Sequence, residues 1–239
     1  MKDKIIMGNV LEGESYVGKT TSIEAIKGME KLYEKGIIVV PEYSVIGKLP
    51  NFPRTSIEDL KKSIQKIIDL EKRRTDKLSK DLSKNKEAHI LFDRGPVSCI
   101  AFEHAAEKAG YIGAALWLAE AFQREIEDKN IIIPRGMIHL KASEEVIKER
   151  EGDDIKKGRG KIIDFLKDKD VIKSLNEAFG AFGEYLPKQL FLTLQTDNKN
   201  PEEVGAEVLQ FIINQPPDVT EKTPDFLKYA NSLMERKNE

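Results

Sequence analysis

The chain has 239 residues, with 39 Lys and Arg against 41 Asp and Glu, one Cys and a formal net charge of -2. No uninterrupted apolar run exceeds about six residues, which excludes a spanning helix needing ~20, and the near-balanced charge provides no global basic field for nucleic acid. With 40% hydrophobic and 33% charged residues, one large α/β domain is expected; Cys99 alone makes no internal disulfide, and MKDKIIMGNV lacks the features of a signal peptide, so the cytoplasm is the expected compartment.

The first element is a short apolar strand, Ile5-Ile6-Met7, followed by Gly13-Glu14-Ser15-Tyr16-Val17-Gly18-Lys19-Thr20. These eight residues match G-x-x-x-x-G-K-S/T in the setting that the motif needs, after a strand and at the start of a helix over roughly 19–35. Successive backbone N–H groups of such a loop converge on phosphates at a helix N-terminus, where the dipole favours negative charge. Gly13 and Gly18 permit that path, Lys19 is expected as an exposed cation reaching the β- and γ-phosphates, and the Thr20 hydroxyl is expected on Mg²⁺. Thr21 reads as helix surface.

The second strand, Ile37-Ile38-Val39-Val40, leads to Pro41, Glu42 and Tyr43, and then to a loop carrying Pro50, Phe52, Pro53 and Arg54. A helix over roughly 56–86 follows, with Glu71-Lys72-Arg73-Arg74 about twenty residues before the next acidic element. That element is Ala88-His89-Ile90-Leu91-Phe92-Asp93, an apolar strand ending in a carboxylate at the sheet's C-terminal edge. Asp93 is placed to bind Mg²⁺, directly or through water, and Arg94 to meet phosphate oxygens. Ser98 reads as a helix cap and Cys99 as a small buried hydrophobe.

A single helix is expected over 96–128, with Phe102, Trp117 and Phe122 in the core; Met137-Ile138-His139-Leu140 then forms the fourth strand, with Pro134 in the loop before it. His104 and His139 have no companions at metal-ligand spacing. A helix over 143–151 precedes the Gly-punctuated basic stretch around Lys156, Lys157, Arg159 and Lys161. The series closes with a helix over 170–185, the strand Leu190-Phe191-Leu192-Thr193-Leu194 and a helix over 201–213. Alternation of strands and helices implies a parallel sheet covered on both faces. The organisation expected is therefore a domain over 1–214 and a tail over 215–239, in which 224–236 forms a short amphipathic helix on the surface.

Glu12 to Thr21, Pro41-Glu42, and Asp93-Arg94-Gly95-Pro96-Val97-Ser98 together resemble the thymidylate kinase and deoxynucleoside kinase group of P-loop kinases. The resemblance implies a P-loop NTPase three-layer α/β/α fold with a five-stranded parallel sheet of order 2-3-1-4-5. It also implies an ATP donor with Mg²⁺, and a nucleoside or nucleoside monophosphate as acceptor. It is similarly the resemblance that points to an acceptor-contacting role for Arg73 or Arg74, with Arg54 of equal standing, and to a lid over about 150–161 whose Arg150 and Arg159 close on the nucleotide. Tyr16 stands where thymidylate kinases of this type usually have Gly, and Val40-Pro41 where they have an Arg before the Glu.

The role of Glu42 depends on the acceptor: a hydroxyl must lose a proton, for which a carboxylate serves as general base, whereas a phosphate needs cations. In the resembling deoxynucleoside kinases this Glu is the base. Tyr43, Phe52 and Phe102 are candidates to sandwich a nucleobase, while Arg73 and Arg74 also fit a solvent-facing charge network. No membrane or nucleic-acid partner is expected, and a homodimer is compatible with the pattern. Two other readings remain open: a kinase of another small metabolite, and a nucleotide-dependent switch ATPase.

Overall fold

The computed structural model describes residues 5–29, 35–157, 164–215 and 225–236. Five parallel strands, β1 (Ile5–Glu12), β2 (Ile37–Val40), β3 (His89–Asp93), β4 (Ile133–Lys141) and β5 (Phe191–Gln195), form one sheet in the order β2-β3-β1-β4-β5. The helices are α1 (Lys19–Met29), α2 (Tyr43–Ile46), α3 (Ile57–Lys84), α4 (Pro96–Lys108), α5 (Ala115–Glu127), α6 (Glu144–Lys156), α7 (Lys169–Gly183), α8 (Pro201–Ile213) and α9 (Phe226–Glu235).

The two-residue period of a strand sends neighbouring side chains to opposite faces, and two cores result. Val10, Phe92 and Met137 pack beneath α4, α5 and α7, while Leu11, Leu91 and Ile138 pack beneath α1 and α8. Both faces of the sheet are thus covered, and the strand C-termini share one edge with the 13–18 loop and Asp93.

Several expected elements differ in detail. The helix expected over 96–128 is two helices, because Gly110 adopts φ +80° and Gly113 packs against Glu103 O, which would lie 2.5 Å from an added Cβ. Pro134 lies inside β4 beside a register irregularity opposite Ile6 to Asn9, where the missing N–H breaks no regular ladder. Trp117 is 45% exposed, on the outer side of α5. The tail helix α9 is more than a surface feature: Phe226, Tyr229, Ala230 and Leu233 join the main core, and Tyr229 Oη donates to Ala178 O at 3.0 Å.

Candidate active site

The 13–18 loop is held by its backbone. Gly13 has φ +142° and Leu140 O would lie 2.5 Å from any Cβ there, so no larger residue fits. Gly18 has φ +98°, and Tyr16 is a non-glycine residue in the left-handed region at φ 63°. Helix α1 then begins with Ser22 N–H donating to Gly18 O at 2.9 Å. The N–H groups of its first turn have no partners within the helix, and they open beside the loop.

Lys19 is not an exposed cation: it is 7% exposed, and its Nζ donates to Gly13 O at 2.8 Å and to Glu14 O. Burial, with Arg94 close by, pushes its pKa down, opposed by Asp93, Glu12 and Glu42. Thr20 and Thr21 are exposed on the first turn, and Val17 is fully buried.

Asp93 ends β3 and is half-buried. Burial raises its pKa, Glu42 adds to the rise, and Arg94, Lys19 and Arg74 oppose it. Arg94 takes a left-handed backbone, φ 61°, and points its guanidinium back across the loop. Its Nη1 donates to Gly13 O at 3.1 Å and to Ser98 Oγ at 3.3 Å, while Nε stands 3.6 Å from Glu42 Oε2. Glu42 occupies the N-cap position of the short α2 without a side-chain capping bond, and it accepts from Ser44 Oγ. Lys19, Glu42, Asp93 and Arg94 therefore form one charge cluster at the C-terminal edge of the sheet.

Glu12, quoted only as the flank of the loop, proves central. It is fully buried, accepts from Gly95 N–H at 2.9 Å and from Ser98 Oγ, and so ties the start of the phosphate loop to the turn carrying Arg94. Ser98 is accordingly no helix cap; Gly95 holds that position. Burial lifts the Glu12 carboxyl to about 7, against the pull of Arg94, the Ser98 bond and Lys19.

A second set of bonds holds the loop from the other side. Asn176 Nδ2 on α7 donates to Glu14 Oε1 at 2.8 Å, and Asn176 Oδ1 lies 3.2 Å from His139 Nε2, which fixes Nε2 as the protonated nitrogen. Burial lowers the His139 pKa to about 4, consistent with a neutral ring. Arg150 on α6 donates to Tyr16 O at 3.1 Å, and to Thr196 Oγ1 and O at 3.1 and 2.9 Å. The buried Thr196, after β5, in turn donates to Val17 O at 3.0 Å. Arg150 is thus a strut between the loop and the β5 edge, and Arg159 lies outside the described residues.

A chamber of about 880 Å³ opens beside the cluster, lined by Gly13 to Tyr16, Glu42, Tyr43, Arg94, Phe52 and Phe102 among others. Of the cations expected to meet an acceptor there, Arg54 and Arg74 are engaged elsewhere. Arg54 lines the chamber, but its side chain is 4% exposed, with Nη1 and Nη2 both on Glu103 and Nη1 also on Ile112 O at 3.1 Å. Arg74 belongs to neither an acceptor site nor a solvent network: it is fully buried, paired with Glu71 at 2.7 Å and stacked 4.3 Å from the Tyr43 ring centroid. Arg73 is exposed on α3 and is not one of the residues that line the chamber. Phe52 and Phe102 meet edge to face at 5.1 Å, too close to sandwich a base, which holds its flanking rings about 7 Å apart. They form one wall, with Tyr43 on the lining beside Glu42.

Thr20 and Asp93 supply one hydroxyl and one carboxylate beside the loop. This hard oxygen pair suits a Mg²⁺ ion that takes its remaining ligands from phosphates and water.

No family model matches the chain, and no curated protein sequence does. Among solved structures, a thymidylate kinase from Candida albicans is similar, with a TM-score of 0.51 and 17% sequence identity over 86% of this chain and 90% of that one. The likeness is one of fold: this chain has a thymidylate kinase-like P-loop kinase fold, with the strand order that the family resemblance implied.

Proposed function

We propose that the chain is an ATP-dependent kinase that transfers the γ-phosphoryl group to a nucleoside or nucleoside monophosphate, with a nucleoside hydroxyl favoured. The observation that carries the reading is the Lys19–Asp93–Arg94–Glu42 cluster at the mouth of a chamber walled by Phe52 and Phe102. The phosphate loop would hold the β- and γ-phosphates, and Lys19 would leave its loop carbonyls to meet them. Mg²⁺, held through Thr20 and Asp93, would offset phosphate charge during transfer. Arg94 lies between Gly13 O and Glu42, where a cation meets negative charge developing on the transferred group.

Two arrangements support a hydroxyl acceptor. Glu42 presents a carboxylate next to Arg94, suited to take a proton, and Arg54 and Arg74 are each held by a buried carboxylate rather than aimed at an acceptor phosphate. The test is ADP release with ATP and Mg²⁺ against paired acceptors, thymidine with thymidine monophosphate and deoxycytidine with deoxycytidine monophosphate. Acceptor-dependent ADP with a phosphorylated product is expected, faster for the nucleosides. Hydrolysis that no acceptor stimulates would refute a kinase, and a monophosphate preference would refute the hydroxyl assignment.

A further inference from the structure

The short helical turn between α6 and α7, Asp164–Lys167, buries a residue that such a turn has no means of burying alone. Phe165 is 7% exposed. It is enclosed by rings from three other segments: Phe52 before α3, at 4.7 Å between centroids, and Phe102 on α4 and Tyr111 beyond α4, each at 5.2 Å. The contacts are tilted or perpendicular, the arrangements that ring quadrupoles favour. Phe165 itself stands behind the chamber wall, whereas Phe52 and Phe102 line it, and so does the next residue, the half-buried Leu166.

From this juxtaposition we infer that Leu166 determines the size of acceptor that the chamber admits, and that Phe165 is the positioning residue that fixes Leu166 against the Phe52–Phe102 wall. The inference rests on the kinase reading for its substrate, but its geometry concerns only what ring-bearing body fits. Because Phe52 and Phe102 touch, a planar ring meets that wall on one side only, and the room left to it depends on the neighbouring apolar lining. A change of one or two methylenes in such a lining discriminates between ligands by roughly 10- to 200-fold. The groups that hold Lys19, Arg94 and Glu42 lie in the phosphate loop, the first turn of α4 and α2, so a change at Leu166 leaves them in place.

The experiment compares the unaltered chain with Leu166→Ala and Leu166→Phe, using thymidine and deoxyguanosine as a small and a large ring. The ratio of kcat/KM for deoxyguanosine over thymidine is expected to rise by about ten-fold or more in Leu166→Ala and to fall in Leu166→Phe, with ADP affinity by calorimetry within about two-fold. An unchanged ratio, or a parallel loss for both acceptors and for ADP, overturns the inference. Phe165→Leu, which keeps most of the buried volume, is expected to move the ratio as Leu166→Ala does; a lowered melting temperature with an unmoved ratio would make Phe165 merely structural. If the unaltered chain phosphorylates neither nucleoside, the same pair is scored by ligand-observed NMR binding. Binding whose preference shifts in Leu166→Ala upholds the chamber inference while refuting the kinase reading. Absence of binding by either ring overturns the inference itself.

Discussion

Replacing Arg74 with Met tests whether the buried pair beneath the site holds the site in place. Arg74 Nη1 bonds Glu71 Oε2 at 2.7 Å, Nη2 reaches Arg94 O at 2.7 Å and Asp93 O at 3.3 Å, and both side chains are 0% exposed. Met keeps the length but leaves the Glu71 carboxylate buried without its counter-ion, which costs about 3–5 kcal/mol. The two carbonyls that lose their donor place the total in the upper half of that range, about 4–5 kcal/mol. For a chain of this size each kcal/mol moves Tm by about 2–4 °C, so the variant should melt roughly 8–20 °C lower. Adding Glu71→Leu removes the stranded charge and should restore about half of the loss or more, leaving mainly the carbonyl term of about 1–2 kcal/mol. Because those carbonyls belong to Asp93 and Arg94, both variants should also lose turnover at temperatures far below their melts. Calorimetric melts of the two single variants and the double variant form the assay. A Tm for Arg74→Met within about 2 °C of the unaltered chain, or a double variant melting below both singles, would refute the reasoning.

Lys19→Ala should lower kcat by at least about 10²–10³-fold, because the lost cation acts on phosphate charge, and should leave one cooperative melt a few °C lower, since Gly13 O and Glu14 O lose a buried donor; substantial residual turnover would remove Lys19 from the reaction. Glu42→Gln keeps volume and should reduce kcat on a nucleoside by roughly 10²–10⁴-fold with little change in KM, and full activity would exclude a general base. Glu12 should make stability fall with pH: its carboxyl sits at about 7 in the fold against an ordinary 4.5, so its protonated form is favoured by folding, and about 3 kcal/mol is lost as pH rises from about 4.5 through 7. Urea unfolding of Glu12→Gln against the unaltered chain between pH 5 and 8 should show a flatter slope for the variant, and identical slopes would contradict the buried carboxyl.

The place of the 13–18 loop between a strand and a helix is legible in the sequence because its motif fixes residue type at fixed spacing, and the five strands, β3 with Asp93 at its end among them, because each is a short apolar run ended by turn residues. In the sequence Arg74 fits either an acceptor contact or a solvent-facing charge network, because Lys72, Arg73, Asp76 and Lys77 surround it. The contrary signal was phase: Glu71, Arg74, Thr75 and Leu78, spaced i, i+3, i+4 and i+7, continue the buried stripe of α3 begun at Leu60 and Ile68. Opposite charges on an apolar stripe, one turn apart, are the mark of an internally neutral pair. Phe165 gave no comparable signal, since one aromatic in a four-residue turn has no period, and its burial depends on Phe52, Phe102 and Tyr111, all more than fifty residues earlier.

The choice of acceptor type shows the same limit more sharply. Arg54, Arg73 and Arg74 all fit an acceptor phosphate from sequence, and whether a guanidinium is available to a ligand depends on which carboxylate the fold brings to it. Glu103 lies 49 residues from Arg54, and only the packing of α4 against the loop before α3 makes them partners. Once that pair and the Arg74–Glu71 pair are set aside, the guanidinium that faces both the phosphate loop and the chamber is Arg94, and it stands beside Glu42. On the kinase reading, Arg94 with the Glu42 carboxylate beside it suits an acceptor that gives up a proton, while Lys148, Lys167, Lys169 and Lys173 line the same chamber, so the paired-acceptor assay carries the choice.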